Sequence, residues 1–105
     1  MYLQLSITQT KQTMENYLNT LILEKNINPN QTFEFTVDGY TNFVSLDVII
    51  EFIVSMPKEF QAKIKKQLIY IDFKNGDVLH NLKYYGNMMC EMKSELMNMN
   101  YNLNN

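Results

Sequence analysis

The 105-residue chain contains no arginine: its nine basic residues are all lysine. Planar, bidentate recognition of guanine, phosphate or carboxylate is mainly arginine chemistry. Any anion held here would meet lysine point charges instead. Cysteine is limited to Cys90, which excludes an intrachain disulfide and points to a reducing, cytoplasmic setting. Glycine is limited to Gly39, Gly76 and Gly86, too few and too scattered for a phosphate-binding loop or a dinucleotide fingerprint. No nucleophile elbow is present. Long apolar runs are absent too. Val48-Ile49-Ile50 is broken by Glu51 before Phe52-Ile53-Val54, far short of a membrane span. No basic region or small-residue cleavage site follows Met1, so no signal peptide is expected. The net charge of −2 offers no global attraction to nucleic acid or to an anionic membrane.

What is present is enough to fold. Hydrophobic residues make up 46% of the chain, as in ordinary globular proteins, so one domain with a real core is expected. The strongest pattern lies at the C-terminal end. Val78, Leu82, Tyr85, Met89, Met92, Leu96, Met99 and Leu103 follow one another in alternating steps of four and three. On a helix they form one seam that must be buried on something. Val78 to Met89 is expected to close the core against Leu18, Leu21, Ile49, Ile53 and Ile64. Met92 to Leu103 has too little protein left to cover it. Residues 99–105 are asparagine-rich and read as a frayed tail after a single domain over 1–98.

The remaining elements follow in order. Leu3, Leu5 and Ile7 alternate as in a short strand. A helix begins near Thr8 and carries Met14, Tyr17, Leu18, Leu21 and Ile22 on one face. It ends in Asn26-Ile27-Asn28-Pro29-Asn30. Thr32 to Val37 and Tyr40 to Val44 read as two strands joined by the Asp38-Gly39 turn. Ser45 reads as an N-cap with Asp47 in the first turn. Leu46 to Met56 is apolar nearly all round, which predicts a buried helix. Pro57 fits the first turn of the next helix, whose inner stripe is Phe60, Ile64, Leu68 and Ile71. The stretch from Leu68 to Asp77 admits two readings. One is a strand entering an Asn-Gly hairpin. The preferred one is a helix ending with Gly76 as a left-handed cap and Asp77 capping the next helix. The expected fold is therefore α+β: a small antiparallel hairpin, with Leu3 to Ile7 as the candidate third strand, packed on about four helices, the last one long.

Chemistry-bearing residues are sparse. His80 and Cys90 are the single histidine and cysteine. On one helix they stand about 15 Å apart along the axis and on different faces, so they form no nucleophile–base pair. Asp47 with Glu51, and Glu91 with Glu95, lie one turn apart but fall where helix starts and solvated faces want acids. No enzyme, no metal and no cofactor is expected. Lys58, Lys63, Lys65 and Lys66 concentrate positive charge on one helix. The preceding helix makes a loose helix-turn-helix likeness, weakened by Pro57 in the connection and by the absence of arginine. Met88, Met89, Met92, Met97 and Met99 crowd the last helix, and methionine is over-used on adaptable binding surfaces.

In size, acidity, lysine- and asparagine-rich composition, lack of a catalytic constellation and the Asp38-Gly39 hairpin beside helices, the chain resembles small accessory proteins of phages and mobile elements, including anti-CRISPR inhibitors. The resemblance carries no motif, so it assigns no residue. It implies stoichiometric binding to a host defence protein or its guide-RNA complex. The expected function is a non-catalytic interaction protein acting through Met92, Glu95, Leu96 and Met99, with a homodimer through the same helix as one form of partner. The alternative is a small DNA- or RNA-binding regulator, with a dimer through the heptad seam as one form, contacting phosphates through Lys58, Lys63, Lys65 and Lys66.

Overall fold

The structure is a computed structural model that describes the backbone of residues 14–104 and the side chains of residues 14–99. The expected strand Leu3 to Ile7 and the helix start near Thr8 lie outside the described residues. Helix α1 covers 14–24. Strands β1 (Thr32–Val37) and β2 (Tyr40–Ser45) follow, then helices α2 (Leu46–Val54), α3 (Lys58–Phe73) and α4 (Val78–Asn104). This is the α+β arrangement expected. Among the described residues the sheet has two strands.

Two helices end on asparagine by the same device. Asn26 takes φ 54°; its N–H donates to Leu23 O at 3.2 Å and that of Ile27 donates to Ile22 O at 3.0 Å. Asn75 takes φ 57°; its N–H donates to Asp72 O at 3.0 Å and that of Gly76 donates to Ile71 O at 2.7 Å. Both are Schellman turns, which satisfy carbonyls that a helix end leaves orphaned. The left-handed residue after α3 is thus Asn75, not the expected Gly76. Asparagine tolerates that region because its short polar side chain bonds locally. Gly76 is needed for room, since a Cβ there would lie 2.9 Å from Ile71 Cγ2.

The hairpin turn is as read. Asp38 (φ 52°) and Gly39 (φ 81°) are both left-handed, as a two-residue type I′ loop requires. The register runs from Val37 opposite Tyr40 to Thr32 opposite Ser45. Phe35 and Val44 are buried on the inner face, while Phe43 projects outward. Strand β2 passes directly into α2 at Ser45. That residue holds the N-cap conformation, but its side chain makes no capping bond. The amides of Leu46 and Asp47 donate instead to Gln31 O and Pro29 O, at 2.9 and 3.1 Å. The loop before β1 does the work expected of the serine hydroxyl.

Helix α2 is not buried all round. Leu46, Ile49, Ile50 and Ile53 face the core, while Val48 lies exposed. A domain this small has no second layer to cover the far side of a helix. Pro57 stands at the N-cap of α3 rather than inside its first turn. Four residues on, the Gln61 amide donates to Val54 O and Met56 O, at 2.7 Å each, satisfying the end of α2. The helical reading of residues 68–73 holds. Ile64 and Leu68 are buried and Ile71 is half-buried, but Phe60 is half-exposed at the rim of the α3–α4 groove.

Asp77 caps α4 as expected, its carboxylate accepting the His80 N–H at 3.1 Å. Val78, Leu82 and Tyr85 join the single core with Met14, Leu18, Leu21, Ile22, Ile49, Ile53, Ile64 and Leu68. Helix α4 packs on α2, β1 and α3. Gly86 marks a close approach, to side chains rather than to a backbone: Ile49 and the Phe35 ring lie against it. Helix α4 runs on to Asn104. Extending a packed helix adds one hydrogen bond per residue without a new nucleation cost.

Candidate functional site

The seam on α4 is covered along half its length. Val78, Leu82 and Tyr85 are buried and Met89 is half-buried. Met92, Leu96 and Met99 are 46%, 61% and 59% exposed. The change comes where the hairpin ends. The Ser94 hydroxyl donates to an Asp38 carboxylate oxygen, docking the turn onto the helix. A 27-residue helix is about 40 Å long, and Ser94 is the last of its described residues that is not exposed.

The docked turn leaves a recess on each side. One is a cleft of about 540 Å³ whose lining includes Val37, Tyr40, Cys90, Lys93 and Met97. The other is an acidic notch formed by Asp38, Glu91 and Glu95 with Thr36 and Asn87. Asn87 Nδ2 donates to Glu91 Oε1 at 2.8 Å. Of the four residues expected to meet a partner, Met92, Leu96 and Met99 lie in one exposed row. Glu95 stands beside that row, on the notch side.

Cys90 is buried beneath the cleft, and burial pushes its thiol pKa up, partly opposed by the nearby Lys93 charge. His80 lines a different recess, between α3 and α4. That groove, about 600 Å³, also includes Phe60, Lys63, Tyr84 and Met88. At its base the Tyr85 hydroxyl donates to Gln67 Oε1 at 2.5 Å. Burial, then neighbouring Tyr84, raises the Tyr85 pKa. Asn81 Oδ1 is buried there without a hydrogen-bond partner.

The acids outside the notch are dispersed. Asp47 and Glu51 are exposed on α2, and Asp72 pairs with Lys25 at 2.5 Å. Among the described residues no three His, Cys, Asp or Glu side chains are placed to hold a metal ion. None of the described helices is long and apolar enough to cross a membrane.

The four lysines of α3 do not act as one set. Lys58, Lys63 and Lys66 are exposed, while Lys65 is half-buried with its ammonium 5.3 Å from the Tyr17 ring centroid. Lys65 is thus turned toward α1. The Tyr17 hydroxyl pKa is raised, by burial first and then by the charges of Asp72 and Glu24. Sequence reading passed over the outer face of α3 beyond Lys66, where Ile69, Tyr70 and Phe73 are exposed. The signal was available in their spacing, opposite Ile64, Leu68 and Ile71. The β-propensity of that stretch masked it.

No protein-family model matches the chain, and no curated protein or solved structure matches it either.

Proposed function

We propose that this protein is a small non-catalytic interaction protein that binds a protein partner along the outer half of α4, through Met92, Leu96 and Met99 with Glu95 at the edge. One observation carries the reading. The heptad stripe keeps its spacing past Met89 although the core that covers its first half stops there, leaving Met92, Leu96 and Met99 about half exposed or more. A row of methionine and leucine in water is costly unless something else buries it, and methionine adapts to the shape of what it meets. The adjoining cleft and notch widen the surface beyond what a single row supplies. Specific interfaces bury about 800 Å² on each partner, more than three side chains contribute.

The resemblance to phage accessory proteins supplies a partner class: a host defence protein or its guide-RNA complex, held in fixed ratio. The test is light scattering coupled to size-exclusion chromatography, with the full chain alone and mixed with purified CRISPR effector complexes. A fixed-ratio complex, lost in Leu96→Glu/Met99→Glu while the helical signal is kept, supports the reading. A concentration-dependent dimer lost in the same variant identifies the partner as a second copy. Monomer under all conditions overturns it.

A further inference from the structure

We propose that the outer face of α3 binds single-stranded nucleic acid, with Tyr70 and Phe73 stacking on bases and Lys58, Lys63, Lys66 and Lys74 holding phosphates. The inference is independent of the reading of α4. Helix α3 buries Ile64 and Leu68. At about 100° per residue, Lys66, Ile69, Tyr70 and Phe73 fall on the opposite side. Tyr70 is 63% and Phe73 79% exposed, so neither ring contributes its main surface to the fold. Three residues apart, they are neighbours on one face.

The charge on this side is predominantly positive. Lys58, Lys63, Lys66 and Lys74 are exposed, and Glu59 is the one carboxylate of α3 free among them, since Asp72 is tied to Lys25. The chain as a whole is acidic, so the positive field is local to this face. Lys74 folds back over both rings, its ammonium 5.8 Å from the Tyr70 centroid and 5.9 Å from that of Phe73. Lys63 lies in the same way 5.8 Å from the Phe60 centroid. Phosphate-binding cations and stacking rings are therefore side by side, as single-strand binding requires.

Two alternatives fit less well. In a duplex the base faces are stacked on one another and out of reach of the rings. An acidic peptide would satisfy the lysines but offers the rings no π-face. Without arginine the face lacks bidentate base readout, so binding is sequence-tolerant.

The test is fluorescence anisotropy of the full chain with labelled oligo-dT and oligo-rU of about twelve nucleotides, from low to physiological salt. Binding is expected to weaken with a log–log salt slope of about −2 to −3, from about −0.7 for each phosphate neutralised by three or four lysines. Tyr70→Ala/Phe73→Ala is expected to weaken binding about tenfold or more for each ring lost without changing the circular-dichroism melt. Lys66→Gln/Lys74→Gln is expected to flatten the slope by about 1.4. Val48→Thr, on the exposed side of α2, should leave binding unchanged. The proposal is overturned by no binding at low salt, by equal binding of duplex, by indifference to the ring double variant, or by oligo-glutamate competing as well as oligo-dT.

Discussion

The ring of Phe35 on β1 rests on Gly86 of α4: a Cβ at Gly86 would stand 2.8 Å from Phe35 Cζ and 2.7 Å from Ile49 Cδ1. Hairpin, α2 and α4 meet at this point. Gly86→Ala sets two effects against each other. Helix propensity gains about 1 kcal/mol, and overpacking loses about 1–3 kcal/mol. The Ile49 methyl can turn away, but the Phe35 ring is buried and cannot swing without opening the core. A net loss of about 1 kcal/mol is expected, read as a Tm several degrees lower by circular dichroism. A raised Tm would mean that the hairpin gives way.

Leu82 and Leu96 occupy the same position of the α4 stripe, two heptads apart, in opposite environments. Leu82 is fully buried and Leu96 is 61% exposed. Leu82→Ala is expected to cost about 2–5 kcal/mol in urea denaturation. Leu96→Ala is expected to stay within about 0.5 kcal/mol. A large loss at Leu96 in dilute protein would place that residue inside a fold or dimer already present.

The asparagine caps have a simple test. Asn75 needs a positive φ, which a β-branched side chain resists. Asn75→Val is expected to cost about 1–2 kcal/mol, and Asn75→Gly is expected to lie within a few tenths of zero. Asn26 should behave in the same way. The measurement is the denaturation midpoint at unchanged m-value, with equal effects of Val and Gly counting against the mechanism.

Alkaline pH is expected to destabilise the fold. The Cys90, Tyr85 and Tyr17 pKa values are all raised in the folded chain, from ordinary values of 9.0 for the thiol and 10.0 for the phenols, each chiefly by burial. A raised folded pKa means that the unfolded chain releases its proton first. The stabilising contribution is whole below the ordinary value and is lost as pH climbs through the folded one. Cys90→Ala should remove the part of the loss that sets in first, near pH 9. Stability followed by urea denaturation across that range, with thiol labelling of native Cys90 far slower than of unfolded chain, checks both statements.

Much of the fold was legible because it is local. The hairpin register follows from alternating Phe33, Phe35 and Val37 around Asp38-Gly39. The Asp77 cap and the four-three spacing on α4 likewise involve neighbours in sequence. The errors were of another kind. Ser45 was expected to cap α2 with its hydroxyl, yet carbonyls of Pro29 and Gln31 reach those amides first. Phe60 shares the spacing of Ile64 and Leu68, yet it is only half covered, at the rim of the α3–α4 groove. Lys65 looked like Lys63 and Lys66 until α1 brought Tyr17 beneath it.

The α4 stripe divides the two kinds of knowledge most plainly. Its periodicity, and so the fact that Val78 and Met99 lie on one face, is written in the sequence, because side-chain direction on a helix depends on spacing alone. Where along that face burial stops was decided by tertiary structure. Burial depends on which other elements reach that far, and among the described residues the Asp38 turn, docked on Ser94, meets the helix at its last half-buried position. The same holds for the outer face of α3. Its residues were fixed by helical spacing, but their exposure followed from α1 and α4 packing on the opposite side.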